Sequence, residues 1–203
     1  MQYKIVYQFR WLLVLWLVGL IYLSNLIFLQ LPFIRVDFPV LSSFLPQFDF
    51  EFHIYNLQTV LVWTIGIIFG QELGAITLGI YILLGLLGLP VFASGGGLDY
   101  YKEPTFGYLM SLPLLAYSSG WLYERKKKLL AVIVPIFVTH LIGISYLLFF
   151  KQNYLDLSWH LSFSMIGYDL TFALLLSPTL PALSFFLREL FIQEVPVRNL
   201  YKS

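Results

Sequence analysis

Long apolar stretches separated by short polar intervals dominate this chain. A helix needs about 20 mostly apolar residues to cross a bilayer, with a range of roughly 17–25. Six stretches stand out. They are Trp11 to about Leu31, about Leu57 to Gly70 (entered through Ile54 and Tyr55), and Leu73 to Val91, which follows the polar pair Gln71-Glu72. Then come Thr105 to about Tyr123, Leu129 to Phe150, and a long stretch from near Trp159 to about Ile192. The last contains Pro178 and Pro181, and proline in a helix interior removes a hydrogen bond and clashes with the preceding turn, so a kink or break is predicted there. Stretches two and three also read as one broken hairpin. The first is predicted to be an anchor helix rather than a cleaved leader, because its apolar core is too long and Leu31-Pro32-Phe33, not a small-residue cleavage site, follows it. The predicted fold class is all-α, a polytopic membrane helix bundle of about six transmembrane helices forming one membrane domain over residues 1–203.

Composition agrees with lipid as the main solvent. Charged residues are 11% and hydrophobic residues 59% of the chain, with a mean hydropathy of +0.81, whereas a soluble domain carries about 25% charged residues. A net charge of +1 provides no basic field for a phosphate backbone, which argues against nucleic acid as a partner. The absence of cysteine excludes disulfides, thiolate metal sites and thiol nucleophiles. His53, His140 and His160 fall in three separate regions, so neither a metal nor a cofactor is expected.

Charge asymmetry sets the orientation. With six spans, Lys4, Arg10, Arg125, Lys126, Lys127, Lys128, Arg188, Arg198 and Lys202 share one side, nine of the twelve basic residues, against Arg35, Lys102 and Lys151 on the other. A multi-pass protein of the cell membrane with both termini cytoplasmic is predicted, and the run Arg125 to Lys128 reads as this topology signal rather than as a lipid-recognition patch. The outer loops are chemically richer. Pro32 to His53 holds Arg35, Asp37, Asp49, Glu51 and six phenylalanines; Phe92 to Pro104 holds the triplet Gly95-Gly96-Gly97 followed by Asp99, Tyr100, Tyr101, Lys102 and Glu103; Lys151 to Ser158 is the third. A glycine triplet beside tyrosines suits a backbone that approaches a ligand closely, and equally a flexible turn with interfacial aromatics. Gly66, Gly70 and Gly74 at four-residue spacing place small residues on one helical stripe, read as internal packing of spans two and three rather than a dimer interface.

The stretch Gly85 to Leu109, GLLGLPVFASGGGLDYYKEPTFGYL, resembles the BioY family of biotin transporters, the substrate-binding components of energy-coupling factor importers. The family pattern is a helix ending LGxxGLPVF, a glycine-rich loop, and a GPTxGYL segment opening the next helix. Asn56-Leu57-Gln58-Thr59 upstream and His140-Leu141-Ile142-Gly143 with Tyr146-Leu147 downstream are also similar, so the resemblance covers about residues 50–150. Glu103 stands in place of the usual glycine before Pro104-Thr105, and Phe106 replaces a small residue. In the sixth helix Gly167-Tyr168-Asp169-Leu170 keeps the family's aspartate while Phe172 takes its lysine position; a second register through Pro178 and Pro181 loses both. The first register is preferred, because a carboxylate inside a membrane helix is costly and marks function by default. The first span lacks the alanine stripe with which such components dock, Gly19 and Ser24 being its only small residues.

The resemblance implies a biotin-binding subunit that captures its ligand at the outer face. Biotin has a ureido ring with two N–H donors and one carbonyl, an apolar bicycle and a carboxylate tail, so its pocket needs matching polar groups and aromatic walls. Asn56, Gln58, Thr59 and Asp169 are assigned to the ureido edge, with Phe92, Tyr101 and Tyr108 as walls and Thr105 beside them. The backbone of Gly95, Gly96 and Gly97, or Lys102, is assigned to the carboxylate. No Gly-xxxx-Gly-Lys-Ser/Thr phosphate loop occurs, so the chain would either draw on ATPase subunits through an energy-coupling factor transmembrane subunit or work alone as a slow binder. An intramembrane enzyme would need a Gly-x-Ser-x-Gly nucleophile or paired acid and histidine within the membrane; neither is expected here, Asp169 being the only acid placed within a span, and no catalytic residues are assigned. The alternatives are a non-catalytic membrane assembly or structural protein, or a substrate-binding component for a different vitamin.

Overall fold

The computed structural model describes residues 3–7, 10–37, 47–150 and 155–196. In chain order the elements are β1 (Tyr3–Tyr7), α1 (Arg10–Ser24), β2 (Phe28–Asp37), β3 (Gln47–Asn56), α2 (Gln58–Phe69) and α3 (Gln71–Leu86). A 3₁₀ turn (Leu98–Lys102), α4 (Phe106–Glu124), α5 (Lys128–Phe150), α6 (Leu155–Leu176), α7 (Leu180–Phe191) and β4 (Ile192–Pro196) follow. α4 is the central helix, with its main interfaces to α5, α3 and α2.

Helices in lipid gain nothing from burying apolar surface against each other, so close packing between small residues has to hold them. At one crossing Gly66 of α2, Gly74 of α3 and Ala116 and Gly120 of α4 let three backbones meet. A Cβ on Gly66 would run into the Ala116 carbonyl, and one on Gly120 into the Gly66 carbonyl and the Gln71 amide. The glycines serve internal packing, as expected, but not as one stripe. Gly70 sits at φ 90° and breaks the chain between α2 and α3, so Gly66 and Gly74 meet across two helices. Around this crossing Trp63, Leu78, Leu115 and Ile136 are fully buried, while Leu15, Leu83, Leu141 and Leu175 are exposed on the outer surface.

Two of the helix prolines are accommodated by side-chain donors. Pro135 leaves the Ala131 carbonyl of α5 without its helical N–H, and Trp63 Nε1 donates to that carbonyl at 2.7 Å. Pro178 does the same to Leu174, whose carbonyl accepts from Ser177 Oγ at 2.9 Å. The predicted break in the last stretch is there: α6 and α7 are bent by 69°.

Three boundaries differ from expectation. α1 stops at Ser24 rather than near Leu31, because the chain turns at Asn25 and enters β2. The segment read as an outer loop pairs β2 with β3 antiparallel, from Phe28 opposite Asn56 to Asp37 opposite Gln47. β1 and β4 pair likewise, so two ribbons flank a helical core. Residues 38–46 of the first predicted loop and 151–154 of the third lie outside the described residues. Lengths differ too. α2, with 12 residues, rises about 18 Å, short of the roughly 30 Å hydrocarbon layer. Among the described residues α5 alone is long and apolar enough to cross by itself, and α6 with α7 passes the same test as a bent pair.

Candidate functional site

Where α2, α3 and α4 diverge from the glycine crossing, they leave a cavity of about 270 Å³ roofed by β3 and closed by α5 and α6. Seven of the residues expected at a site line it: Asn56, Gln58, Thr59, Phe92, Thr105, Tyr108 and Asp169. Asn25, Tyr55, Tyr81, Tyr100, Thr139 and His140 line it as well.

One wall is a continuous amide and hydroxyl network. Asn25, freed from α1 by the turn after Ser24, donates from Nδ2 to the Tyr81 hydroxyl at 2.7 Å and to the Val91 carbonyl at 3.0 Å. Asn56 Nδ2 donates to Asn25 Oδ1 at 3.2 Å, and Gln58 Nε2 to the Tyr81 hydroxyl at 3.2 Å. The Tyr81 hydroxyl donates to Val91 O at 2.9 Å. Asn56 also serves the backbone: its Oδ1 accepts the Gln58 backbone N–H at 2.7 Å at the start of α2.

The opposite wall carries the charge. Asp169, on α6 and 2% exposed, accepts the Tyr55 hydroxyl on Oδ1 at 2.5 Å and faces His140 Nε2 with Oδ2 at 3.1 Å. Each carboxylate oxygen has two lone-pair sites, so these contacts leave acceptor capacity. His140 Nδ1 is buried with no hydrogen-bond partner, an uncommon condition for a polar atom in an interior. Tyr108 meets the His140 ring edge-on at 5.9 Å and shares a hydrogen bond with Ser162 at 2.6 Å. Tyr55 stacks on Phe172 at 5.3 Å. Phe172, at the position the family resemblance gives to a lysine, thus supports the tyrosine that holds Asp169.

The floor is aromatic. Phe92 contacts Tyr81 at 5.5 Å and Tyr100 at 4.5 Å between ring centres. Glycines make room for these rings: a Cβ on Gly85 would strike Phe92, one on Gly143 would strike Tyr108, and one on Gly107 would strike Tyr146.

Five expected residues are not brought to the cavity. Gly95, Gly96 and Gly97 fold back on the end of α3 instead of presenting N–H groups to a ligand. Gly97 N–H donates to Gly85 O at 2.7 Å, Gly95 N–H to Phe92 O at 3.1 Å, and a Cβ on Gly96 would collide with the Leu89 carbonyl. Gly96 thus supplies smallness and Gly95 and Gly97 supply positive φ (109° and 110°) to a turn that is bonded to the Phe92 backbone. Tyr101 is half exposed, and its carbonyl accepts from the Tyr146 hydroxyl. Lys102 is exposed too, paired with Asp99 at 2.6 Å. Their hydrogen bond and mutual charge hold the Asp99 carboxyl below, and the Lys102 ammonium above, its ordinary value. Among the described residues no lysine or arginine lines the cavity.

Asn25, Tyr55 and His140 were not expected at the site, and the Asp169–His140 contact corrects the expectation that no acid and histidine pair within the helices. His140 had a usable signal: it is a titratable group inside an apolar helix, the same argument that singles out Asp169. Asn25 interrupts an apolar stretch, whereas Tyr55 depends on a ribbon that shows in period-two alternation rather than in long apolar runs.

A profile of the BioY family matches residues 11–188. The chain belongs to the BioY family. A protein named probable biotin transporter BioY from Lysinibacillus sphaericus is 35% identical over 99 residues, covering 46% of this chain and 50% of its own length. One of the same name from Pyrococcus horikoshii is 36% identical over 89 residues, 43% of this chain and 54% of its own length. The biotin transporter BioY of Thermotoga maritima is 38% identical over 74 residues, 36% of this chain and 44% of its own. The chain thus spans about half the length of the curated relatives it matches. A solved structure described as the S-component for biotin from an ECF-type ABC transporter matches with a TM-score of 0.63, over 86% of this chain and 89% of that one, at 20% identity. That likeness gives the fold, a membrane helix bundle, and this BioY member is a membrane protein.

Proposed function

We propose that this chain is the biotin-binding membrane subunit of a vitamin importer, working with a coupling transmembrane subunit and ATPase subunits and doing no catalysis itself. One observation carries the reading. Within a BioY-family fold, a single cavity sets a buried carboxylate against an amide and hydroxyl wall over an aromatic floor. The two ureido N–H groups match the lone pairs left on Asp169, and the ureido carbonyl matches donors from Asn25, Asn56 or Gln58. The bicycle matches Phe92, Tyr100 and Tyr108. Isothermal calorimetry on detergent-purified protein tests this: biotin binding in the nanomolar-to-micromolar range is expected, and no heat at millimolar biotin would overturn it.

The site faces the cell exterior in this reading, with one membrane domain over residues 1–203, six crossings and both termini in the cytoplasm. The cysteine-free sequence makes this easy to test in intact cells. Asp99→Cys is expected to react with an impermeant maleimide directly, and Lys126→Cys only after permeabilisation; the reverse order would invert the topology.

A second reading, a component for a different vitamin, is favoured by the lack of a lysine or arginine among the described lining residues. Competition separates the two. Biotin methyl ester should bind more weakly than biotin if the carboxylate has a partner, and equally well if it has none.

A further inference from the structure

A second cavity, of about 420 Å³, lies under the elbow between α6 and α7, against α2 and the start of α5. Its walls include Trp63, Ile67, Val132, Leu174 and Leu180. Two of the polar groups near it are already engaged: Trp63 Nε1 donates to Ala131 O at 2.7 Å and Ser177 Oγ to Leu174 O at 2.9 Å. Apart from Tyr123 the walls are largely apolar, and Lys128 is the one charged residue lining the cavity.

Lys128 ends a segment, Glu124 to Lys128, with four cations and one carboxylate, a net charge of 4 − 1 = +3. All five residues are exposed. Lys126 takes a left-handed backbone (φ 61°), and the Arg125 guanidinium covers the Trp121 ring at 4.0 Å. Among the described residues Lys126, Lys127 and Lys128 have no ion-pair partner. Such a cluster does not sit in hydrocarbon, so it marks the membrane surface, with the apolar cavity directly beneath it. As a topology signal the four cations explain orientation alone; the cavity under them is a separate fact. An apolar slot below a cationic rim matches an amphiphile with an acyl chain and an anionic head, and basic pockets between membrane helices take such lipids.

We propose that the α6–α7 elbow is a binding site for an anionic phospholipid, its acyl chain between Trp63 and Leu174 and its phosphate on the Arg125–Lys128 turn. A zwitterionic lipid would fill the same slot without using the charge. A peptide segment from a partner would need polar atoms spread along the slot to meet its backbone, and the walls offer few beyond Tyr123 and Lys128. The site stands apart from the vitamin cavity and does not depend on the biotin reading.

Trp63 makes the test local. The full chain with Trp11, Trp16, Trp121 and Trp159 changed to phenylalanine is placed in phosphatidylcholine nanodiscs containing a small fraction of either brominated phosphatidylglycerol or brominated phosphatidylcholine. Brominated phosphatidylglycerol is expected to quench Trp63 more strongly, and unbrominated phosphatidylglycerol, but not phosphatidylcholine, to relieve the quenching. Changing Arg125, Lys126, Lys127 and Lys128 to glutamine should weaken the preference, roughly fivefold in affinity for each cation that meets the headgroup. Equal quenching by the two lipids would overturn the proposal, as would no quenching by either. A preference that survives the four substitutions would also overturn it. If the glutamine variant fails gel filtration, competition by unbrominated lipid decides alone.

Discussion

The two ends of the α2–α3–α4 group use glycine and polar groups in opposite ways. At the crossing, Gly66, Gly74, Ala116 and Gly120 bring backbones into contact and leave no free volume. At the cavity end the same helices separate, and glycines at 85, 107 and 143 hold aromatic rings instead of backbones. Polar side chains differ in parallel. Around the crossing they close local accounts, as Trp63 does for Ala131. Around the cavity they bond one another in a network that leaves acceptors on Asp169 and a bare Nδ1 on His140. A membrane bundle without a hydrophobic drive between its helices can thus keep a semi-polar cavity open, provided a tight crossing elsewhere holds the helices together.

The strongest way to break this contrast is to fill the crossing. Gly66→Val puts a branched side chain where a Cβ already meets the Ala116 carbonyl and Ser119 Oγ. Overpacking costs about 1–3 kcal/mol when a core can relax, and more when the obstacle is backbone, so loss of the monodisperse folded protein in gel filtration is expected. A folded Gly66→Val protein with normal melting would mean that the crossing does not hold the bundle.

Asp169→Asn attacks the cavity end with little change of shape. It keeps an acceptor for Tyr55 but removes the charge, and hydrogen bonds to charged groups are worth roughly 1.5–3 kcal/mol. Biotin affinity measured by calorimetry should therefore fall about ten- to a hundredfold, with the melting temperature little changed. Unchanged affinity would remove Asp169 from the proposed site. Trp63→Phe makes the complementary test. It strands the Ala131 carbonyl behind Pro135, and an unsatisfied buried acceptor costs about 1–3 kcal/mol. Thermal melting should shift down while biotin affinity stays level; a loss of affinity instead would show that the two ends are coupled.

Much of this division was legible in the sequence, for reasons that differ by element. α4 and α5 begin and end within about a residue of the predicted spans, because their apolar runs are bounded by proline, glycine or charge. Pro178 and Pro181 announced the elbow. The β2–β3 ribbon was missed although a signal existed: Phe48, Phe50 and Phe52 alternate with Asp49, Glu51 and His53, the period-two pattern of a strand. Counting aromatics obscured their spacing. At the site, the cost of a buried carboxylate pointed to Asp169, which the structure places at the cavity. His140, a titratable group inside the apolar α5, carries the same signal, which metal-ligand spacing does not bring out. The glycine triplet was ambiguous in kind. Close backbone approach is what Gly96 supplies, but the neighbour is the Leu89 carbonyl rather than a ligand, and sequence does not say which.

The smallest expected effect tests that last point. Lys102 was assigned to the ligand carboxylate along with the triplet, yet it lies exposed outside the cavity, bonded to Asp99. An exposed pair of this kind contributes little and is screened by salt. Lys102→Gln should therefore leave both melting temperature and biotin affinity within measurement error, at low and at high salt. The arrangement around it gives a specific reason. The 3₁₀ turn that carries Lys102 also carries Tyr100, whose ring packs on Phe92 at 4.5 Å, so the turn contributes to the cavity floor through its apolar side. A clear, salt-dependent loss of affinity in Lys102→Gln would mean that the turn swings its cation over the ligand when biotin is bound. The carboxylate would then have its partner, and the boundary drawn between the aromatic floor and the loop outside it would have to move.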